Sequence, residues 1–379
     1  MKKIIMAVLC CAMVLTAFSG CAGQPAKEKQ EAAAEPAAAE EEKETAEAVV
    51  EEKEEQTAEE ETSGEAGEVL EAEEVVVKEG ILERAEINSA AIGENKLEEK
   101  TEQKLHIYLP PTYQESEKAY PVVYFLHGFG DSPTVFVRNA KKVLDPEFSK
   151  DPSKEFILVA VSGSNSAGGS YYVNSPITGN WEDYTVNEVV SYIDTNYRTI
   201  AKADARGICG FSMGGFAALN LAFRHPDVYS AVYAMSPGVL APGEIGTALA
   251  SWEGDQVFLK AYSMAFAYDE NPPYVAIPSG DGSDADKLLL ERWESGFGNW
   301  QEKLDDYLAL QTPLKAIGFC YGTNDGYVWI PEGTEYLSGL LDKEGIACTM
   351  YSFTGGHILP PDFMKDQLLP FFDEFLSYE

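Results

Sequence analysis

The sequence predicts an α/β fold, with a mostly parallel β-sheet covered by helices on both faces. Short apolar segments such as YPVVYFLHG and FILVAVSGSN alternate along the chain with helical segments such as EDYTVNEVVSYIDTNY. Strands that are separated by helices need crossover connections, and such connections produce parallel pairing. Continuous apolar runs such as VVYFL are typical of strands that are buried on both faces.

The predicted elements follow one another from about residue 80. KLHIYLP, YPVVYFLHG and FILVAVSGSN are predicted strands, because β-rich apolar residues are bounded by Pro and Gly. The helix after them carries Val186, Val189, Val190 and Ile193 on one face. The later elements are, in order, strand GICGFS, helix MGGFAALNLAFRH, strand YSAVYAMSPG, strand LKAIGFCYGTNDG, helix GTEYLSGLLDKEG, strand ACTMYSFTGGH and helix MKDQLLPFFDEFLSY.

One long segment between two predicted strands interrupts this alternation. Residues 240–300 are rich in aromatic residues and proline and show no regular period. Long irregular insertions in compact domains are usually functional or disordered, and this one is too aromatic to be disordered. We therefore expect an irregular cap over the carboxyl edge of the sheet, with the aromatic residues Trp252, Phe266, Tyr268, Tyr274, Trp293, Phe297 and Trp300.

Residues 1–21, MKKIIMAVLCCAMVLTAFSGC, are predicted to be a secretory signal peptide. Lys2 and Lys3 precede an apolar run that ends in small residues, which is the order of segments in such signals. FSGC resembles a bacterial lipobox, although Phe18 stands where such boxes usually have Leu. We expect lipidation at Cys21, which would anchor the protein to a membrane. Plain secretion with cleavage near Ala22 is the alternative.

Residues 22–75 are predicted to be an acidic tether. They contain 20 acidic and four basic residues, net charge −16, and almost no large apolar side chains. Such a segment cannot bury enough apolar surface to offset the entropy cost of ordering it. Residues 76–379 are predicted to form the globular domain. This range has net charge −21 and no basic stripe, so nothing indicates a nucleic-acid partner.

Three cysteines lie in apolar, strand-like segments of that domain: Cys209, Cys320 and Cys348. Their number is odd, and no C-x-x-C spacing is present. We therefore expect buried free thiols, without a disulfide framework or a zinc site.

Ser212 lies between a predicted strand and a predicted helix in GICGFSMGGFAALNLAFRHP. Gly210 and Gly214 flank it in a G-x-S-x-G pattern. Glycines at these positions allow a sharp strand-to-helix turn from which the serine hydroxyl projects. Small residues also begin ordinary helices, but this strand–turn–helix context is the one that a nucleophilic serine requires. Ser212 is the predicted nucleophile.

A nucleophilic serine needs a base, and the base needs an orienting carboxylate. The chain has four histidines: His106, His127, His225 and His357. His357 is the predicted base, because it follows a strand at the edge where sites form in open α/β sheets. Asp325 in CYGTNDGY follows another strand and is the predicted carboxylate. A turn-forming Asp-Gly pair is the alternative role for Asp325, and Asp362 is the alternative partner for His357.

The loop after YFLHG is predicted to stabilise negative charge on a reacting carbonyl oxygen. Such a charge needs backbone N–H donors that are fixed in place before the reaction. We expect one donor from Met213, directly after the nucleophile, and one from Phe129. His127 is predicted to brace this loop, and Gly128 is expected beside the substrate.

Aromatic residues on loops at the same edge are candidates for a substrate pocket, which is typically lined by such side chains. Trp181, Tyr171 and Tyr172 could line an acyl or aromatic pocket, with core packing as the alternative for each. Tyr268 and Tyr274 of the expected cap are further candidates.

Residues from about 80 to 379 resemble the esterase branch of the α/β hydrolases. That branch includes S-formylglutathione hydrolases, tributyrin and feruloyl esterases, enterochelin esterases and mycolyltransferases. The matching segments, in the family's order, are IYLPPTY, YPVVYFLHGFGDS, YYVNSPITGNWEDY, YIDTNYRTI, GFSMGGFAALNLAFRHPDVYSAV, YGTNDGY and GGH. The resemblance implies an α/β-hydrolase fold and a triad of Ser212, Asp325 and His357. One departure is HILPP from His357 onward, where many relatives have aromatic residues.

The resemblance implies a serine carboxylesterase for short-acyl, acetyl or feruloyl esters, polysaccharide esters among them, that works without a cofactor or a metal ion. With the predicted signal and lipidation site, we expect this enzyme outside the cytoplasm, anchored to the bacterial cell membrane. Acyl transfer to an alcohol uses the same triad and stays open. A ligand-binding surface lipoprotein has the same signal, tether and domain, and is the alternative from another class.

Overall fold

An eight-stranded β-sheet forms the centre of the structure, a computed structural model that describes residues 75–379. The predicted signal peptide, its lipidation site at Cys21 and residues 22–74 of the predicted tether lie outside the described residues. The strands of the sheet are β1 (Ile81–Asn88), β2 (Glu102–Leu109), β3 (Val122–Leu126), β4 (Ile157–Val161), β7 (Arg206–Phe211), β8 (Ala231–Met235), β9 (Ala316–Gly322) and β10 (Thr349–Phe353). A separate ribbon pairs β5 (Asn174–Ser175) with β6 (Gly179–Asn180).

The strand order is β1-β2-β4-β3-β7-β8-β9-β10. The six strands from β4 to β10 in this order are parallel, and β2 pairs antiparallel with both β1 and β4. This confirms the predicted, mostly parallel sheet. β1 is an additional edge strand that the sequence pattern does not indicate, because most of its side chains are exposed or polar.

Eleven α-helices are present within the described residues. They are α1 (Ala90–Gly93), α2 (Pro133–Lys150), α3 (Trp181–Asp183), α4 (Val190–Asn196), α5 (Met213–Arg224), α6 (Ile245–Ser251), α7 (Gln256–Phe266), α8 (Asp284–Phe297), α9 (Trp300–Ala309), α10 (Trp329–Lys343) and α11 (Leu369–Phe375). π-Helical segments join α3 to α4 (Tyr184–Val189) and lead into α11 (Met364–Leu368). From residue 75 to the end of the chain, no helix has the length and apolar character needed to cross a bilayer.

Helices cover both faces of the sheet, as predicted. Alternate residues of β3 show the division: Val122, Tyr124 and Leu126 belong to one apolar cluster, and Val123 and Phe125 belong to another. Helices α5, α9 and α10 contribute to the first cluster, and α2 and α11 contribute to the second. Burial on both faces explains why the strands are continuous apolar runs in the sequence.

Four helices, α6 to α9, occupy the segment between β8 and β9, where the sequence pattern predicts irregular structure. The Asp255 side chain caps α7 by accepting a hydrogen bond from the Phe258 N–H, and Tyr262 of α7 stacks on Trp293 of α8 with ring centroids 4.9 Å apart. The longest stretch of this segment without regular structure is residues 267–283, between α7 and α8. Except for Tyr268 and Tyr274, which lie in that stretch, the cap aromatic residues therefore lie in or next to helices and pack these helices together.

The three cysteines of the described residues are free thiols. Cys209 in β7 and Cys320 in β9 are buried, as predicted. Burial raises the pKa of the Cys209 thiol well above its ordinary value, which keeps it protonated and unreactive. Cys348 is only half-buried, because it lies just before β10 instead of within the strand.

Candidate active site

Ser212 lies at the corner between β7 and α5. Its backbone has φ 56° and ψ −114°, and a positive φ at a non-glycine residue costs on the order of 1–3 kcal/mol. A Cβ on Gly210 would lie 2.0 Å from the Gly214 carbonyl oxygen, and a Cβ on Gly214 would lie 2.0 Å from the Leu126 carbonyl oxygen. The close approach of β7, α5 and β3 therefore requires glycine on both sides of Ser212.

Backbone hydrogen bonds hold Ser212 in this conformation. Its N–H donates to the Met235 carbonyl at 2.9 Å, and its own carbonyl accepts from the N–H groups of Phe216 at 3.0 Å and Gly238 at 3.2 Å. The corner is thus tied to β8, to the loop after β8 and to the first turn of α5. Such ties stabilise a strained conformation that the local sequence would not hold alone.

Asp325 and His357 form a hydrogen-bonded pair at the same edge of the sheet. The His357 Nδ1 lies 2.7 Å from the Asp325 Oδ2, and the other carboxylate oxygen accepts the Tyr327 N–H at 2.9 Å. The Asp325 carboxylate is fully shielded from solvent, and the His357 side chain is 21% exposed. An Nδ1–H that donates to Asp325 leaves Nε2 as the basic nitrogen, which is the tautomer that a general base needs.

The His357 ring lies between two aromatic rings. Its centroid is 4.8 Å from the Phe211 ring and 5.2 Å from the Tyr327 ring. His357 and Ser212 both line a cavity of about 210 Å³, which we call the inner pocket. Among the described residues no hydrogen bond joins the Ser212 hydroxyl to His357, and such bonds are often long before substrate binds. The structure thus brings Ser212, His357 and Asp325 together at one site.

The two expected oxyanion donors belong to residues that line the inner pocket. Met213 is the first residue of α5, where backbone N–H groups have no partner within the helix. Phe129 lies in the loop after β3. Neither N–H donates to a protein acceptor within residues 75–379. Both are therefore available to a bound oxyanion.

His127 is buried behind this loop and hydrogen-bonded on both sides of its ring. The Gly163 N–H donates to Nε2 at 2.9 Å, so Nε2 is unprotonated and the proton resides on Nδ1. Nδ1–H then donates to the Gly128 carbonyl oxygen at 2.7 Å. Burial lowers the pKa of His127 below its ordinary value, against smaller raising effects of the Gly128 carbonyl and the Asp131 carboxylate. The ring is therefore held in its neutral form.

This hydrogen bond orients the peptide group that joins Gly128 to Phe129. The Gly128 carbonyl accepts from His127 at 2.7 Å and from the Asp131 N–H at 3.1 Å. In a trans peptide the C=O and N–H groups point in opposite directions, so fixing this carbonyl also fixes the Phe129 N–H. The Tyr172 hydroxyl adds a second brace, because it accepts the His127 N–H at 3.0 Å and donates to the Val161 carbonyl at 3.1 Å.

The three aromatic candidates on the loops do not reach the inner pocket. Trp181 is fully buried, and its indole N–H donates to the Thr178 carbonyl at 2.8 Å. Tyr172 is buried, and its hydroxyl accepts the His127 N–H, as described above. Tyr171 is buried behind the pocket wall, where its ring lies 5.9 Å from the Phe129 ring. Core packing, the alternative for these residues, is what the structure shows.

The two tyrosines of the cap also lie away from the inner pocket. The Arg292 guanidinium lies 5.6 Å from the Tyr268 ring, and the Lys96 ammonium lies 5.3 Å from the Tyr274 ring. Neither tyrosine lines the pocket. Their contacts are with charged side chains at the surface.

Other aromatic residues line the inner pocket in their place. Trp252, Phe258 and Phe297 come from the helices between β8 and β9, and Tyr327 and Trp329 come from the segment after Asp325. The sequence indicates Trp252 and Phe297 only as members of the expected cap, and no sequence pattern indicates Phe258, Tyr327 or Trp329. Tyr327 and Trp329 lie close to Asp325 in the sequence. This closeness is the signal that could have indicated both residues.

Acidic side chains give the inner pocket its electrostatic character. Asp131 and Asp255 border it, and its described lining contains no lysine or arginine. The border of the pocket therefore carries negative charge. Among residues 75–379, no group of three histidine, cysteine, aspartate or glutamate side chains lies close enough together to hold a metal ion.

The remaining histidines and the alternative carboxylate lie outside the site. His106 is buried in β2 with its Nε2 3.1 Å from the Thr134 hydroxyl. His225 follows α5 and has its Nε2 2.7 Å from a Glu182 carboxylate oxygen. Asp362 is exposed, and the carboxylate that contacts His357 is that of Asp325.

Solved structures with the same fold are hydrolases. A ferulic acid esterase superposes with a TM-score of 0.56 at 22% identity, covering 79% of this chain and 100% of its own. An S-formylglutathione hydrolase from Agrobacterium tumefaciens gives a TM-score of 0.51 at 15% identity, covering 79% of this chain and 96% of its own. Together with the strand order, these likenesses define the chain as a protein with the α/β-hydrolase fold.

A family model described as "Putative esterase" matches residues 97–305, and the chain belongs to this esterase family. The match includes Phe129 and Ser212, and ends before Asp325 and His357. An esterase of Mycobacterium tuberculosis is 25% identical over 271 residues, which are 69% of this chain and 54% of that protein. The chain therefore spans about half the length of this curated relative.

Proposed function

We propose that this protein is a serine carboxylesterase with Ser212 as nucleophile, His357 as general base and acid, and Asp325 as the orienting carboxylate. The observation that carries the proposal is the 2.7 Å hydrogen bond from His357 Nδ1 to Asp325, beside a pocket that also contains Ser212 on its strained corner. Membership of the esterase family supports the same activity.

The reaction would proceed in two halves. The Ser212 Oγ attacks the ester carbonyl carbon while His357 Nε2 takes the hydroxyl proton, and the oxyanion accepts the N–H groups of Phe129 and Met213. The tetrahedral intermediate then expels the alcohol, which receives that proton from His357. Water, deprotonated by His357, attacks the acyl-enzyme, and the proton passes to Ser212 Oγ as the carboxylic acid leaves. Asp325 holds the imidazole and stabilises its cation throughout.

The inner pocket supports a compact, uncharged acyl group. Its volume of about 210 Å³ and its aromatic walls suit an acetyl, short acyl or single-ring acyl group. The acidic residues Asp131 and Asp255 at its border disfavour an anionic ester such as a glutathione thioester. The acyl groups of acetylated or feruloylated polysaccharides and of short acyl esters fit these properties.

Two other activities remain alternatives. Acyl transfer uses the same residues, with an alcohol in place of water at deacylation. Product analysis with and without an added alcohol separates the two, because transfer yields a new ester. A ligand-binding surface protein needs no reactive serine, so failure of an active-site-directed fluorophosphonate to attach would favour it.

We further propose that the protein acts outside the cytoplasm, anchored through lipidated Cys21, with residues 22–75 as a spacer. The support is the sequence MKKIIMAVLCCAMVLTAFSGC and the acidic composition that follows it. Metabolic labelling with a palmitate analogue tests this proposal. The label should be incorporated into the wild-type protein and absent from Cys21→Ala, and equal labelling of the two would contradict lipidation at Cys21.

A panel of p-nitrophenyl esters and acetylated xylan tests the activity. The proteins compared are the wild-type full chain, Ser212→Ala and Ser191→Ala. Ser191→Ala is the control, because Ser191 is an exposed serine of α4. Loss of a nucleophile typically lowers kcat by about 10⁴- to 10⁶-fold. We expect such a loss in Ser212→Ala and full activity in Ser191→Ala. Activity of Ser212→Ala above about a tenth of wild type would contradict the assignment.

A further inference from the structure

A second cavity meets the inner pocket at His357. This cavity, which we call the outer groove, has a volume of about 420 Å³ and lies between the first turn of α2 and the segment after His357. Three residues border both cavities: Asp131, Phe211 and His357. The two cavities are therefore adjacent, and we call them the two arms of the site.

The two arms differ in which reacting groups they contact. Ser212, Phe129 and Met213 line the inner pocket and do not line the outer groove. His357 lines both. In ester cleavage the acyl carbon stays bonded to the serine, next to the oxyanion donors, whereas the alcohol oxygen must face the nitrogen that protonates it. Of these reacting groups, only His357 lines the outer groove. The outer groove is accordingly the place for the alcohol half of the ester.

The outer groove is open to solvent and mostly apolar, with Ser132 and Asn139 among the polar residues of its lining. Val135 is 59% exposed and Ile358 is 79% exposed, and both line the groove together with Phe136, Phe211 and Leu359. Exposed apolar side chains grouped at a cavity indicate a binding surface more than isolated ones do. Asp131 is the only carboxylate in the described lining, which contains no lysine or arginine. The groove therefore offers no cation to a phosphate or carboxylate on the alcohol.

Resting on the esterase activity proposed above, we propose that the outer groove binds an apolar alcohol moiety, so that the preferred ester joins a compact acyl group to an alkyl or arylalkyl alcohol. The HILPP segment places Ile358 and Leu359 directly after His357, beside the path of the departing alcohol. Contact of the alcohol chain with Val135 and Ile358 would remove these side chains from water, which is the source of the binding energy.

The test keeps the acyl group fixed and varies the alcohol. kcat/KM is measured for methyl, butyl and octyl acetate with wild type and with the double variant Val135→Gln/Ile358→Gln. Both side chains are exposed, so these substitutions leave the core intact. Leu288→Gln is the matched control, because Leu288 is 61% exposed on α8 and lines neither cavity. A parallel series of methyl esters with acyl chains of increasing length reports on the inner pocket.

For wild type and Leu288→Gln we expect kcat/KM to rise about twofold per methylene of the alcohol. A fully buried methylene would raise kcat/KM roughly fourfold, and the rise is smaller here because the groove is open. The double variant should lose this rise, so that its ratio of kcat/KM for octyl over methyl acetate approaches one. No dependence on alcohol length in wild type, or a double variant that changes only the dependence on acyl length, would overturn the assignment. Absence of turnover of every ester, with no fluorophosphonate label on Ser212, would overturn the proposed esterase activity and this assignment with it.

Discussion

The His357 Nδ1 lies 2.7 Å from the Asp325 Oδ2 although 31 residues separate them in the sequence. The two loops that carry them follow β9 and β10, which are adjacent and parallel. Hydrogen bonds from the Thr323 N–H to the Phe353 carbonyl and from the Asn324 N–H to the Gly355 carbonyl, both 2.9 Å, continue the pairing beyond the strands. The relative position of acid and base is therefore set by the sheet.

Asp325→Asn is expected to lower kcat less than His357→Ala does. The asparagine cannot stabilise the imidazolium and favours the wrong tautomer, with a loss on the order of 10⁴-fold, but the base remains in place. His357→Ala removes the base, with a loss of about 10⁶-fold. Steady-state kinetics with a p-nitrophenyl ester measures both. If Asp325→Asn retained full kcat, another carboxylate such as Asp362 would have to be the partner of His357.

Gly214→Ala is expected to destabilise the fold by several kcal/mol, because its Cβ would lie 2.0 Å from the Leu126 carbonyl oxygen. Gly339→Ala is the control, since Gly339 is exposed within α10 and has open space around a Cβ. In a helix this change is expected to stabilise by about 0.5–1 kcal/mol. Urea unfolding of both variants checks the pair. Equal stability of the two would show that the corner tolerates a side chain.

Phe258→Leu is expected to change acyl selectivity. The Phe258 ring lines the inner pocket, 4.9 Å from the Phe129 ring, so its loss should reduce the ratio of kcat/KM for aromatic over short acyl esters by roughly 10-fold or more. Tyr268→Leu is the control, because Tyr268 lies outside the pocket. An unchanged ratio in Phe258→Leu, or an equal change in Tyr268→Leu, would contradict this role of the pocket.

Protein stability is expected to fall as the pH is lowered through about 6.5. Burial lowers the pKa of His127 and of His106. The positive charges of Arg84, Arg138 and Lys104 lower the pKa of His106 further. The unfolded chain takes up protons below about pH 6.5 while the folded protein does not, so stability is complete above that pH and declines below it. Each histidine contributes at most about 1.4 kcal/mol per pH unit.

Urea unfolding of wild type and His127→Asn at about pH 7.5 and about pH 5.5 checks this expectation. The asparagine amide can still donate to the Gly128 carbonyl but does not titrate, so the variant should lose less stability than wild type over this range. An identical loss in both proteins would show that His127 is not held neutral.

The parts of the site that sequence predicts are those set by local geometry. Ser212 is found because the corner needs glycines on either side of it, and His357 and Asp325 are found because each directly follows an apolar strand. The parallel sheet is predicted because its strands are continuous apolar segments that alternate with helices. By contrast, β1 has mostly exposed side chains and no clear apolar pattern. Pro146 interrupts α2, although its buried residues Val137, Ala140 and Leu144 do recur at helical spacing.

The pocket is not predicted, because an aromatic residue gives no sign of the direction in which its ring points. Tyr171 and Tyr172 both have φ 54° and are buried, and no sequence pattern indicates that backbone conformation. Trp252 and Phe258 reach the inner pocket only because α6 and α7 fold over the sheet edge. Those contacts depend on tertiary packing and are visible only in the structure.

Peptide mapping by mass spectrometry after reaction with a fluorophosphonate shows whether Ser212 is the activated nucleophile. We expect one adduct per wild-type chain, on the peptide that contains Ser212, no adduct in Ser212→Ala and much slower labelling in His357→Ala. An adduct on another residue, or undiminished labelling of Ser212→Ala, would contradict the account.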